Sequence, residues 1–317
     1  MWGKRWLRTY WCLTLTSIVV VVLMARSPII VGIDGSQHSR DALGWAVREA
    51  TLRDVPLLLV CATTYRRTND GPDLARELRD RADRVLATAL GIARAEAVAG
   101  SIEVRGEVSR QYAPGALIDR SADASMIVLG RRGLDEYSRG FVGSVCAAVA
   151  RRAKCPVAVI DGWSRDETVE GPVVVGVDGS MNSEPAIGLA FEECALRGAS
   201  LIVLHACFDQ DMSTLHDDSA TEVRAAVEEA GRLVLAESVS RWWKQFPEVR
   251  VRRNLVRDRP VEHLLDLAAD AQLVVVGTRG RGGFVGMDIG STGTALLHKT
   301  PCPLLMVRQP GGECVGE

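Results

Sequence analysis

The sequence predicts an α/β protein made of two tandem five-stranded parallel sheets, each open and covered by helices on both faces. Three observations carry this expectation. The chain repeats itself: Val31–Ser36 (VGIDGS) returns as Val175–Ser180 (VGVDGS) at an offset of 144, and Gly130 and Cys155-Pro156 return as Gly277 and Cys302-Pro303 at an offset of 147. Within each copy, short β-branched runs alternate with stretches whose apolar residues recur every three or four positions. The short runs are apolar on both faces, as parallel strands are when helices cover both sides of a sheet.

The elements of the first copy follow in order. Pro28–Ile33 (PIIVGI) is a buried strand that ends in the turn Asp34-Gly35-Ser36. Leu43, Ala46, Val47 and Ala50 then recur at helical spacing. Leu57–Ala62 (LLLVCA) is a second buried strand. Leu74, Leu78, Ala82, Val85 and Ala89 form one face of a long helix. Ile102, Val104 and Val108 alternate as in a half-covered strand, and Ala116-Leu117-Ile118 marks a short helix. Met126–Leu129 is a fourth strand, Phe141–Ala153 a helix, and Val157–Ile160 a closing fifth strand. The second copy is collinear except for three residues gained between Ala206 and Val251. The polar stretch Asp161–Pro172 (DGWSRDETVEGP) separates the copies, so the predicted domains are 27–161 and 172–309. Right-handed crossovers limit how each copy can be wound.

Composition narrows the function. A net charge of −2 over 317 residues gives no reason to expect a nucleic-acid partner. The eight cysteines include no C-x-x-C pair and no Cys/His cluster at zinc spacing, which fits buried thiols in a reducing compartment and a cytoplasmic location. Residues 1–26 differ from the rest: Lys4, Arg5 and Arg8 precede the 14-residue uncharged run Trp11–Met24. That order is signal-like, but the run is shorter than a spanning helix of about 20 residues. Three readings stand: a start assigned upstream of the native one, a membrane tether, or a secretion signal. The first is the expectation, with membrane association not expected.

The chemistry gathers in a glycine-rich loop that occurs twice, as GRRGLDEYSRGFVGS (Gly130–Ser144) and GTRGRGGFVGMDIGS (Gly277–Ser291). Each loop follows a strand and enters a helix. In both, the pattern is G-x-x-G, nine residues, then G-S. A helix N-terminus presents unpaired N–H groups and a partial positive charge, and glycines let those amides wrap an anion closely. Ser144 and Ser291 add a hydroxyl donor. Arg131, Arg132 and Arg279 are either phosphate neighbours or a solvated loop edge. Asp34 and Asp178, at the end of each first strand, are either acceptors for a ribose hydroxyl or adenine amino group, or turn and helix-cap carboxylates.

Together, V-G-[IV]-D-G-S, G-x-x-G-x9-G-S and the closing C-P-V-A-V-I or C-P-L-L-M-V resemble the universal stress protein family, in its tandem, ATP-binding branch. The resemblance covers roughly Pro28 to Val307 twice over. It implies a Rossmann-like, adenine nucleotide alpha hydrolase-like sheet of order 3-2-1-4-5, with ATP, with or without magnesium, in the crevice between first and fourth strands. The binding residues it carries over are Gly32, Asp34, Gly130–Gly133, Gly143, Ser144 and Val145 in the first copy. In the second they are Gly176, Asp178, Gly277, Thr278, Arg279, Gly280, Gly290, Ser291, Thr292 and Gly293. The family also implies pairing through the last strand, so Val157–Ile160 would face Leu304–Val307, and a homodimer of chains is a further expectation. Two features depart from the family pattern. Asp135 and Glu136 put two acids in the first loop, and Cys146 stands where a small hydroxyl residue is usual, with Gly293 at the equivalent second position. The second site is therefore expected to bind ATP more tightly than the first.

The chain has no G-x-x-x-x-G-K-[ST], G-x-S-x-G, H-E-x-x-H or kinase signature. His205, His263 and the Trp242-Trp243 pair read as structural. The expected function is a nucleotide-dependent regulatory module of stress or dormancy adaptation, read by a regulatory protein partner. The alternatives are a slow ATP hydrolase or adenylate-transferring enzyme, and a flavin-type electron-transfer subunit.

Overall fold

The computed structural model describes residues 27–63, 72–97, 101–134, 142–162, 170–207, 217–281 and 288–309. The first copy contains Ile29–Ile33 (β1), Gln37–Arg53 (α1), Leu57–Ala62 (β2), Pro72–Glu96 (α2), Val104–Ser109 (β3), Ala113–Arg120 (α3), Met126–Gly130 (β4), Ser144–Arg152 (α4) and Val157–Ile160 (β5). The second contains Val173–Val177 (β6), Glu184–Arg197 (α5), Leu201–Cys207 (β7), Asp217–Trp243 (α6), Val251–Arg257 (β8), Pro260–Ala268 (α7), Leu273–Gly277 (β9), Ser291–Lys299 (α8) and Leu304–Val307 (β10).

The eight inner strands are buried on both faces because their alternate residues feed two separate apolar layers, while the edge strands β3 and β8 keep exposed residues. Ile29, Val31 and Ile33 of β1 join the layer of α1, α2, α5 and α6, while Ile30 joins the layer of α3, α4, α7 and α8. Both layers run through both copies. Ser36 caps α1, its hydroxyl accepting the Ser39 amide at 3.1 Å. The second copy starts its equivalent helix later. Ser180–Ser183 first closes a turn, with the Ser183 amide on the Ser180 carbonyl at 3.1 Å, and Pro185 then sits in the first turn of α5. Proline fits there because that position has no intrahelical N–H bond to lose. The extra residues of the second copy are divided between a 27-residue α6, against 25 in α2, and the segment before it.

The strand order is 3-2-1-4-5 in the first copy and 8-7-6-9-10 in the second. All pairings within a copy are parallel. The two predicted sheets merge into one ten-stranded sheet, because β5 and β10 pair antiparallel. Ala158 stands opposite Leu305, its own counterpart at offset 147, so a local two-fold passes through that pair. Away from the strands the same two-fold relates Glu49 and Arg53 of α1 to Glu193 and Arg197 of α5. These four form a buried ring of alternating charge. Glu49 meets Arg53 at 2.9 Å and Arg197 at 2.5 Å, and Glu193 is paired with both arginines. Glu49 is 1% exposed and Glu193 fully buried, so each carboxylate relies on two guanidinium partners to offset its desolvation.

Candidate functional site

In the second copy, β6 and β9 are neighbours, and their carboxyl ends open a crevice of the kind where open α/β sheets hold ligands. The crevice is a cavity of about 710 Å³. Every second-copy binding residue named from the family resemblance lines it, from Gly176 and Asp178 through Gly277–Gly280 to Gly290–Gly293. The floor of the loop is held by the backbone. The Thr278 amide donates to the Val307 carbonyl at 2.9 Å, and the Gly290 amide donates to the Thr278 carbonyl at 2.8 Å. Gly290 is the extended N-cap of α8 and supplies no side-chain cap. The first helical bond runs from the Thr294 amide to the Gly290 carbonyl. The amides of Ser291, Thr292 and Gly293 thus begin the helix unpaired within it, at residues that line the cavity.

Asp178 closes the other side. Its Oδ1 accepts the Ser180 amide at 2.9 Å and the Ser180 hydroxyl at 2.7 Å, and its Oδ2 accepts the Arg281 amide at 2.5 Å. Burial alone would push this carboxyl upward. The hydroxyl and amide of Ser180, the Arg281 amide and the Ser183 hydroxyl outweigh burial and hold it below the ordinary carboxylate value. Gly280 lies against this carboxylate: a Cβ there would stand 2.5 Å from Asp178 Oδ2. Gly179 adopts a φ of +73°, which lets the turn fold back beneath the loop.

Sequence reasoning missed the apolar wall. Val227, Ala230, Gly231 and Val234 of α6, with Leu204 and Leu264, also line the cavity. His205 lines it too, with Nδ1 donating to the Val177 carbonyl at 2.8 Å. A carbonyl only accepts, so Nδ1 carries the proton and Nε2 is the ring nitrogen left for other partners. The available signal was positional: His205 and Cys207 are two apart on one strand and therefore share a face.

The first copy repeats the backbone and changes the side chains. The Gly143 amide donates to the Arg131 carbonyl at 2.9 Å, Gly143 is the extended N-cap of α4, and Ser144 and Val145 open the helix. Gly133 lies against Asp34 as Gly280 does against Asp178, with a Cβ 2.8 Å from Oδ2. Asp34 accepts the Ser36 amide at 2.8 Å. Gly32 lies against the Leu129 side chain, which a Cβ would meet at 2.5 Å, and Gly130 against the His38 backbone, which a Cβ would meet at 2.6 Å. Arg131 and Arg132 are drawn onto Asp161, which follows β5, at 2.9 and 3.1 Å, and His38 Nε2 reaches the same carboxylate at 3.2 Å. Arg131 is 7% exposed, and its guanidinium also reaches carbonyls of the second copy, so it is placed neither at a solvated edge nor free over the loop. In the second copy Arg308 occupies the position of Asp161, Arg279 that of Arg132, and Thr278 that of Arg131. Arg279 stands 3.9 Å from Asp288. Asp135, Glu136 and Phe141 lie outside the described residues, as does the segment 1–26. Cys146 is buried, and desolvation pushes its thiol up to about 12. Among the described residues, no group of three or more His, Cys, Asp or Glu is arranged to hold a metal ion, and no helix is long and apolar enough to cross a membrane.

A family model, that of the universal stress protein family, matches residues 25–161 and again 171–308. A universal stress protein of Mycobacterium tuberculosis is 36% identical over 290 residues, covering 89% of this chain and 97% of that protein. One from Mycolicibacterium smegmatis is 35% identical over 296 residues, covering 88% and 96%. The crystal structure of a universal stress protein from Archaeoglobus fulgidus superposes with a TM-score of 0.64 at 18% identity, covering 89% of this chain and 98% of that one, a likeness of fold.

Proposed function

The chain belongs to the universal stress protein family, and from that premise we propose that it is an ATP-binding regulatory module whose principal nucleotide site is the second-copy cavity. One observation supports this above the others. A cavity of about 710 Å³, within the range of small-molecule sites, is lined by an apolar wall, a glycine loop and an uncapped helix N-terminus. The apolar wall suits a purine ring, Asp178 suits a hydroxyl or amino donor, and the amides of Ser291–Gly293 suit phosphate oxygens. The absence of a side chain at Gly280 supports the cradle, because it lets the loop backbone close against the Asp178 carboxylate where any Cβ would collide.

The second site is the tighter one in this reading. Asp161 draws the first loop's two arginines to itself, whereas the equivalent second-copy position carries Arg308. Nucleotide occupancy then sets the shape that a regulatory protein partner reads during stress or dormancy, in the cytoplasm, with a homodimer of chains as the assembled form.

Acid extraction of the purified protein, with identification and counting of released nucleotide, tests the proposal. About one intact ATP per chain is the expected result. Preparations that stay empty at physiological ATP and magnesium, with no heat on titration, overturn it. Catalytic release of ADP or AMP would replace the regulatory module with a hydrolase.

A further inference from the structure

The loop arginine of the first copy works for the second. Arg131 has its backbone in the first loop, where its amide donates to the Ile160 carbonyl at 2.8 Å. Its side chain crosses the junction between the copies. Nη1 donates to the His298 carbonyl at 3.3 Å and Nη2 to the Thr300 carbonyl, both at the C-terminal end of α8. Thr300 is fully buried, and its amide and hydroxyl are already committed to the Leu296 carbonyl at 2.9 and 2.7 Å. A helix end leaves carbonyls without intrahelical partners, and a planar guanidinium can serve two of them at once. Asp161, at 2.9 Å, fixes the guanidinium from behind and offsets part of its charge.

The other end of α8 is the phosphate end of the proposed site. Gly290–Gly293 line the cavity, and the helix of nine residues is about 13 Å long. So short a helix moves as one rod. A clamp on its C-terminal carbonyls sets how far its N-terminal amides project into the cavity. The arrangement is one-way. Thr278 stands where Arg131 stands in the first copy, and its side chain is too short to span the junction toward α4.

We propose that Arg131 is a positioning residue for the second-copy site, holding the anion-binding helix α8 in register from the first copy. This rests on the functional reading above, and the test separates the two. Competition against a fluorescent ATP analogue gives the affinities of ATP and adenosine for the full chain. Arg131→Gln is expected to weaken ATP about five- to thirtyfold, the range for charge and hydrogen bonds at a helix end, and to leave adenosine within about twofold. Hydrogen exchange of the α8 amides should speed up in the same variant. Arg131→Lys, which keeps the charge and loses the fork, should fall between. A merely structural role would weaken both ligands together, and that result overturns the inference, as does an unchanged ATP-to-adenosine ratio. If Arg131→Gln does not fold, Arg131→Lys decides: a wild-type ratio there overturns the proposal. A wild-type chain that binds neither ligand overturns the functional reading and this inference with it, whereas wild-type ATP binding with no selective loss in the variants overturns this inference alone.

Discussion

Gly280→Ala is the sharpest perturbation of the proposed site. Gly280 is not in the left-handed region, so alanine is free to adopt its backbone, and the obstacle is space. The new Cβ would stand 2.5 Å from Asp178 Oδ2 and 3.5 Å from Asp178 Cγ. Van der Waals contact requires at least another half ångström or so, and the carboxylate is the part that can give. Moving it breaks the 2.5 Å bond from the Arg281 amide and shifts the acceptor offered to the ligand. A displaced carboxylate forfeits its own charge-assisted hydrogen bond to the ligand, about 1.5–3 kcal/mol, and each 1.4 kcal/mol is about tenfold in affinity. ATP should therefore bind roughly ten- to a hundredfold more weakly. The assay is isothermal titration with ATP and magnesium, accompanied by thermal unfolding to show that the variant is folded. Gly133→Ala is the matched control, since its Cβ would approach Asp34 Oδ2 at 2.8 Å in the other copy. It should leave the tight binding event in place. Gly280→Ala binding within about twofold of wild type, or equal loss from Gly133→Ala, would refute the assignment of the principal site to the second copy.

Other predictions concern stability and reactivity. Because the Asp178 carboxyl is held below its ordinary value of 3.8, the stabilisation it supplies is full above that value and is lost as pH falls through the depressed folded value. The stability gap between wild type and Asp178→Asn, followed by urea unfolding, should accordingly be largest near neutrality and close below about pH 4; a gap that widens in acid contradicts the hydrogen-bond account. Desolvation pushes the thiols of Cys146, Cys155, Cys194 and Cys302 up to about 12. Iodoacetamide at pH 8 should leave these four unlabelled in the native protein and label them in urea, as peptide mapping can read. Arg197→Ala leaves Glu49 and Glu193 with one buried partner fewer and should cost about 3–5 kcal/mol by chemical denaturation, a result under 1 kcal/mol counting against the charged ring as a junction element.

How much was legible beforehand follows from which signals are local. Strand and helix identity came from periodicity, and each predicted run reappears within a few residues of its expected bounds because burial on both faces leaves β-branched runs few alternatives. The glycine loops were legible because a close backbone approach demands glycine at set positions, and two copies in register made the spacing visible. The delayed start of α5 was written in Pro185 but not read. The cavity's apolar wall was not legible, because Val227, Val234 and Leu264 read as ordinary core positions on their own helices. Only their placement in the fold makes them part of a cavity wall.

The amino-acid order by itself determined a duplicated α/β unit, its strands and helices, and the residues of the two loops, since these depend on propensity, pattern and spacing along the chain. Tertiary structure decided what those residues touch. It set the antiparallel register of the β5–β10 pairing that the family resemblance implied, took Arg131 out of its own loop and set it on α8 of the other copy, and placed Asp161 against both loop arginines. A side chain's charge is written in the sequence, but its partner is chosen by distance, and distances between segments more than a hundred residues apart exist only once the core has packed.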